Sequence, residues 1–148
     1  MHILIERMLP VARERLVTVV DSAPLIDAAR LLHRGTDIVV VSDAAGHLAG
    51  VITKGDVVNQ ISHCQGASCT TGAVLVMTRD VITCHPHDAL EETWAVMKTR
   101  GVKNVPITDD ERYPLGVLAA QDALQVLLRE VEDEEALLRD YVMGIGYR

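Results

Sequence analysis

Gly50-Val51-Ile52-Thr53-Lys54-Gly55-Asp56 decides the fold, because it returns 66 residues later as Gly116-Val117-Leu118-Ala119-Ala120-Gln121-Asp122. Each copy reads as an apolar strand end, a hydroxyl or small residue, and an acid that opens a helix. Upstream, the segments Thr18 to Leu32 and Thr83 to Met97 repeat at an offset of 65. The extra residue falls in the helix-to-strand connection near Arg100 and Gly101. A repeat of this length is a supersecondary unit, and two of them suggest a pseudo-twofold pair. Two equivalent clefts between equivalent units point to a ligand-binding module more than to a single active centre.

Outward from the first copy, Leu48 to Thr53 is the return strand of a hairpin. Asp43-Ala44-Ala45-Gly46 is its turn signal, and the β-branched run Ile38 to Val41 is its first strand. Ahead of that, Ser22 is placed to cap a helix from about Pro24 to His33, with Leu25, Ala28, Ala29 and Leu32 on one face. Leu16 to Val20 reads as a short strand. Met1 to Leu16 is a mixed leader, extended or a short helix with its apolar side docked. After the motif, Asp56 to Ser62 resumes helical spacing.

The second copy repeats this plan. Val81-Ile82-Thr83 is its opening strand. Asp88 is expected to cap a helix with Glu91 as capping-box partner, and Leu90, Trp94 and Met97 form its buried stripe. Val105 to Thr108 is a strand in which Pro106 implies an edge or a beginning. Asp109 to Pro114 is the turn, and Leu115 to Leu118 returns. A longer helix runs from about Gln121 towards Tyr141 and ends before Gly144. Cys64 to Gly72 is small and polar, a linker, and Ala73 to Met77 is a helical turn or strand leading into the second copy. The division is thus residues 8–63 and 77–130, joined by 64–76 and followed by a helical extension at 131–148. Each unit is β-α-β-β-α. The expected fold class is α+β, with the units packed sheet to sheet in a pseudo-twofold pair and the helices outside.

Composition narrows the function. The 148 residues carry a net charge of −7 and no Phe. Phosphate backbones require clustered Lys and Arg, and single strands require aromatic platforms, so no nucleic-acid partner is expected. No apolar run reaches the roughly 18–20 residues needed to cross a bilayer, and Met1 to Pro10 lacks a signal-peptide core. Three cysteines, Cys64, Cys69 and Cys84, cannot all pair within one chain, which fits a reducing compartment, so a cytoplasmic protein is the expectation. No nucleophile–base pair stands at a plausible spacing, so no enzyme is expected.

The twice-placed Gly-hydrophobic-x-Thr-x-x-Asp motif, the unit order and the strand Asn104-Val105-Pro106-Ile107 resemble a tandem pair of CBS (cystathionine-β-synthase) domains, the Bateman module. The resemblance covers roughly residues 8 to 130. It implies an adenosine-containing regulatory ligand (AMP, ADP, ATP or S-adenosylmethionine), no required cofactor, and energy sensing as a role. It implies that Asp56 and Asp122 accept hydrogen bonds from ribose hydroxyls. Thr53 would meet the phosphate in the first unit, where Ala119 stands in the second. Adenine would lie against Thr18, Val19, Ile38 and Val39 in one unit, and Thr83, Cys84, Asn104, Val105 and Pro106 in the other. It further implies a homodimer built through the helices, with an unknown regulated protein partner.

The chemistry behind that motif is direct. An ionised carboxylate accepts only, and a vicinal diol offers two donors. A hydroxyl beside free N–H groups at a helix start receives a phosphate. Ala119 removes such a hydroxyl, worth about 0.5–1.5 kcal/mol, so the first cleft, with Thr53 and Lys54, is expected to be the better nucleotide site. Lys54, Arg34, Arg100 and Lys103 are the cations expected to offset an acidic surface.

Plainer roles stand beside these. Asp56 and Asp122 also suit helix N-caps, and Thr53 also suits a strand with no ligand. Loss of a cleft hydroxyl at Ala119 also fits a ligand-independent interaction or scaffold module. His63, Cys64, Cys69, Cys84, His85 and His87 superficially resemble metal ligands, but Cys-x4-Cys is not a usual zinc spacing, so no metal site is expected. Redox sensing by Cys64 or Cys69 is the remaining alternative.

Overall fold

Period-2 alternation sets the first sheet. In β2 (Ile38–Ser42), Val39 and Val41 face one apolar cluster while Ile38 and Val40 face another. In this computed structural model, which describes residues 3–63 and 71–144 with the side chains of 141–144 excepted, β2 is the middle strand of three. It pairs in parallel with β1 (Thr18–Val20) and antiparallel with β3 (Leu48–Thr53), with Val40 opposite Thr18 and Val51. The second sheet holds β4 (Asn104–Thr108) and β5 (Pro114–Ala119), antiparallel, with Pro106 opposite Val117. Val117 of β5 is buried with Ile38, Val40 and Val51 of the first sheet, and this cluster joins the two units face to face. The expected α+β pair holds.

The opening strand of the second unit is a correction. Val81-Ile82-Thr83 forms no strand; only Cys84 bridges to Ile107. Pro106 supplies the reason. In the first unit the Val40 N–H donates to the Val17 carbonyl at 2.8 Å. Pro106 stands at the equivalent place and has no N–H. What survives is the bonding around Cys84: its N–H donates to the Pro106 carbonyl (3.1 Å), and the Thr108 N–H donates to its carbonyl (2.9 Å).

The helices cover the outer faces. They are α1 (Leu9–Arg15), α2 (Leu25–Leu31), α3 (Lys54–Ser62), α4 (Ala73–Val76), α5 (Leu90–Arg100) and α6 (Ala120–Gly144). Leu25 and Ala28 of α2 are buried under the first sheet, and Leu90, Met97 and Ala123 under the second, with Trp94 half-buried beside them. Two expected caps are not made. Pro24, not Ser22, precedes α2, and Ala89, not Asp88, precedes α5; neither gives a side-chain cap. The Asp88 carboxylate instead accepts from the His85 N–H (2.8 Å), a tight turn that competes with capping. Gly101, at φ 67°, ends α5 in the left-handed conformation. Helix α6 runs through Gly144 rather than stopping before it.

Both hairpin turns use the same device. Asp43 accepts from the N–H groups of Ala45 and His47, each at 2.9 Å, and Asp109 accepts from those of Glu111 (3.0 Å) and Tyr113 (2.9 Å). The bond from the His47 N–H, ahead of that from Ala45, holds the Asp43 carboxyl below its ordinary range. The two turns touch: the Leu48 N–H donates to the Arg112 carbonyl (2.8 Å), and the His47 and Tyr113 rings lie 4.7 Å apart.

The lead-ins cross over. Helix α1 opens the first unit, ahead of its sheet, yet packs on β5 of the second, where a Cβ on Gly116 would lie 2.8 Å from that of Ala12. The segment Ala73 to Thr78, ahead of the second sheet, packs on β3 of the first, where a Cβ on Gly50 would lie 2.6 Å from the Thr78 carbonyl. Val51 and Thr78 exchange both backbone hydrogen bonds, at 3.0 and 2.8 Å. The motif glycines are needed for these close approaches.

Candidate functional site

The two motif copies end in carboxylates with different partners. In the first, Thr53 is the N-cap of α3: its hydroxyl accepts from the Asp56 N–H (3.2 Å), and the Asp56 carboxylate accepts from the Thr53 N–H (3.0 Å). This reciprocal capping box explains the local fold. The hydroxyl of Thr78, from the crossing lead-in, also donates to Asp56, at 3.3 Å to either oxygen. A carboxylate has about four acceptor positions, so capping leaves Asp56 with acceptor capacity. The Thr53 hydroxyl likewise keeps its own proton to donate.

In the second copy, Asp122 is held by Arg15, the last residue of α1. The guanidinium donates through Nε to Oδ2 and through Nη2 to Oδ1 (3.0 Å for the latter). This two-bond fork is the strong geometry for the pair. The Asp122 side chain is 14 % exposed and that of Arg15 28 %. The bond to Asp122 raises the guanidinium pKa above its ordinary value. Ala119 and Ala120 stand where Thr53 and Lys54 stand in the first copy, so this end has neither that hydroxyl nor that ammonium.

A crevice opens along the seam beside the first motif. One hollow of about 490 Å³ is lined by residues that include Ile38, Thr53 and Lys54 of the first unit and Val102, Lys103 and Asn104 of the second. An adjoining hollow of about 370 Å³ shares Ile38, Thr53 and Asn104 and extends past Thr78, Asp80, Val81, Ile82 and Arg100. Lys54 Nζ lies 3.3 Å from Asp37 Oδ1 at its mouth. Asp56 itself is not in the lining of either hollow but directly follows Thr53, Lys54 and Gly55, which line the first, and Asp122 is in the lining of neither. A wider hollow of about 550 Å³ is formed by residues 3–13 alone.

Of the residues expected at the site, Ile38, Thr53, Lys54 and Asn104 come together here. Asn104 was grouped by resemblance with Thr83, Cys84, Val105 and Pro106, but it lines the crevice beside Thr53. Val39, Val105 and Pro106 are fully buried, which leaves their backbone groups rather than their side chains for a ligand. Thr18 is exposed on β1, Val19 packs against the first core, and Thr83 is half-buried. Of the expected cations, Lys54, Arg100 and Lys103 line the crevice, while Arg34 is exposed and absent from its lining. Arg15, Thr78 and Asp80 were not anticipated. The signal for them was the offset of 65, which extends into the lead-ins and sets Arg15 opposite Asp80.

Cys84 is buried, and burial, with a smaller contribution from Asp88, pushes its thiol up to about 12. His85 Nε2 lies 3.0 Å from Asp110, and its Nδ1 accepts from the His87 N–H (3.0 Å). His63 stays at the end of α3 against the Asn59 carbonyl (2.8 Å). Among the described residues no three His, Cys, Asp or Glu side chains are placed to hold a metal ion; Cys64 and Cys69 lie outside the described residues. No helix among the described residues is long and apolar enough to cross a membrane.

A β-α-β-β-α unit clasped sheet to sheet to a second copy, whose opening strand is reduced to a bridge at Cys84, defines a class of paired modules. The CBS domain model matches residues 8–63 and 72–129, and the chain belongs to the CBS domain family as a tandem pair. It is similar to a putative acetoin utilization protein (AcuB) from Vibrio cholerae, 21 % identical with a TM-score of 0.77 over 92 % of this chain and 98 % of that one. It is also similar to the CBS domain pair of protein MJ0100 in complex with 5′-methylthioadenosine and S-adenosyl-L-methionine, 21 % identical with a TM-score of 0.71 over 88 % and 99 %. The L-aspartate semialdehyde sulfurtransferase of Methanosarcina acetivorans is 28 % identical over 77 % of this chain, but only 22 % of the enzyme is covered. The chain spans about a quarter of the length of the first curated relatives it matches.

Proposed function

We propose that this chain is a non-catalytic regulatory module that binds an adenosine-containing ligand in the crevice between its two units. The observation that supports this most is the first crevice itself. Asp56, next in sequence to the lining residues Thr53, Lys54 and Gly55, is fixed by the capping box with acceptor positions left for a ribose diol. The Thr53 hydroxyl beside it has a proton for a phosphate, and Lys54, Arg100 and Lys103 line the same hollows. Ile38 and Asn104 bring backbone from both units to the walls, suited to reading an adenine edge. A ligand seated there would tie the units together, and that is how occupancy would alter association with a regulated partner. The bound 5′-methylthioadenosine and S-adenosylmethionine of the MJ0100 pair support adenosine as the recognised part, with AMP, ADP and ATP as the other candidates. Exposed Val58 and Ile61 on α3, with Leu124, Leu128 and Val131 on α6, support a homodimer through the helices. A cytoplasmic location and energy sensing complete this reading.

A second reading, a ligand-independent interaction module, is favoured by one observation: Arg15 already occupies the Asp122 carboxylate. Thermal unfolding separates the two. A ligand selective for the folded chain at a hundred times its Kd adds about 2.7 kcal/mol. AMP, ADP, ATP, S-adenosylmethionine and NADH are tested on the wild type, Asp56→Ala and Asp122→Ala. At least one adenosine compound is expected to raise the Tm of the wild type and not of Asp56→Ala. No shift with any of them leaves the scaffold reading, and a shift indifferent to both substitutions places the ligand away from the motif carboxylates.

A further inference from the structure

Helix α6 outruns the fold that carries it. It has 25 residues, about 37 Å at 1.5 Å per residue, whereas the CBS model ends at residue 129. Every residue from 131 to 140 is exposed. Leu124, Leu128, Val131 and Leu138 fall on one stripe of the helix and are 40–65 % exposed. From Glu130 to Asp140 six side chains are acidic and one, Arg139, is basic. None of these charged side chains has an ion-pair partner among the described residues. The opposite character lies at the other end of the chain. The hollow of about 550 Å³ formed by residues 3–13 has apolar walls at Ile3, Leu9 and Pro10 and is bordered by Arg7 and Arg13, with Glu6 its one acid. Both arginines are exposed, and neither guanidinium has an ion-pair partner among the described residues. Ile3 also lines a smaller hollow at the root of α6, beside Leu127 and Val131.

We propose that the projecting arm of α6 docks in the N-terminal hollow of a second copy of this chain, and that the exchange is reciprocal. This rests on the helix-mediated dimer of the reading above and not on its ligand. The arm's own chain leaves the stripe bare, and a free helical end of this length is marginal in water until its apolar face is packed. The hollow offers apolar surface to Val131 and Leu138. Glu134 and Glu135 lie on or beside the same stripe, and Arg7 and Arg13 offer them two guanidinium forks. Two arms laid against each other would instead bring the same acids together, which opposes association. Because Ile3 borders both the hollow and the root of α6, arm and hollow start from neighbouring points on the surface. Each copy carries one of each, so a twofold exchange closes as a dimer with no arm left over.

Sedimentation equilibrium of the full chain, without nucleotide, tests this. The wild type is expected to be a dimer. Arg7→Glu/Arg13→Glu should weaken it at least about tenfold, and so should Glu134→Arg/Glu135→Arg, since each sets like charges together at both ends of the exchange. All four substitutions in one chain should restore the dimer, because arm and hollow are again opposite in sign. Leu138→Ser should weaken it with every charge in place. Thermal unfolding establishes that each variant folds, and Arg7→Gln/Arg13→Gln carries the test if the double reversal does not fold. A dimer untouched by Arg7→Glu/Arg13→Glu, or a fourfold variant no tighter than either double, overturns the exchange and leaves the helix-mediated dimer standing. A monomeric wild type removes both and leaves the nucleotide reading to its own thermal test.

Discussion

Gly116 and Ala12 meet at the point where the first helix crosses onto the second sheet: a Cβ added to Gly116 would stand 2.8 Å from the Ala12 Cβ and 2.9 Å from its backbone carbon. The obstruction includes backbone, so a rotamer change does not relieve it. Gly116→Ala should destabilise the chain by about 1–3 kcal/mol, the usual range for overpacking. Gly50→Ala, against the Thr78 carbonyl at 2.6 Å, should do the same. Gly72→Ala is the control, since its nearest neighbour is a methyl of Val74 at 3.8 Å. Urea denaturation of the three variants checks this, and equal midpoints for Gly116→Ala and Gly72→Ala would contradict it.

The Arg15–Asp122 fork should couple energetically. Removing Arg15 alone leaves a carboxylate that is 14 % exposed without its partner, so Arg15→Ala should cost about 1–3 kcal/mol. Asp122→Ala alone should cost less, because the longer side chain reaches solvent more easily. A double-mutant cycle should return a coupling of at least about 0.5 kcal/mol. Additivity of the two losses would mean that the contact contributes nothing measurable.

Pro106→Val should lengthen the second sheet. It restores an N–H at the place where Val40 donates to Val17 in the first unit. The new amide, like that of Val40, should exchange slowly with deuterium, while stability stays within about 1.5 kcal/mol for an apolar swap of similar volume. Rapid exchange at position 106 would show that something other than the missing donor keeps Val81-Ile82-Thr83 out of the sheet.

Cys84 should be inert to alkylation. With the thiol at about 12 against an ordinary 9.0, its thiolate at pH 8 is about a thousandfold scarcer than that of a free cysteine. A Cys64→Ser/Cys69→Ser chain should react with iodoacetamide only on unfolding. The shift also sets a direction for stability. Below pH 9 both states keep the proton. From about 9 to 12 the unfolded chain loses it and the folded chain does not, so stability falls as pH rises through that window. A stability that climbs between pH 9 and 11 in the wild type and not in Cys84→Ala would reverse the assignment.

The repeat made the fold legible. It paired Ile38–Ser42 with Asn104–Thr108 and both hairpins with their turns, because β-branched runs and Asp-led turns are local signals. The missing strand at Val81 was not legible from its own residues, which are good strand formers. The decisive residue lies across the sheet, at Pro106. The caps at Ser22 and Asp88 failed for a related reason, since short polar side chains serve tight turns as readily as helix starts. At the site, the motif placed Thr53 and Asp56 because capping is local. Arg15 was hidden because its partner is 107 positions away, and only carrying the repeat through the lead-ins would have exposed it.

Since α1 rides on the second hairpin and Ala73 to Thr78 on the first, neither half owns all the surface it needs. Cleaving the polypeptide somewhere in 64–70 should therefore give two pieces that are each unstructured in isolation. Mixed together, they should reassemble into one cooperative body. A change made in either half should then be felt as a change in the whole.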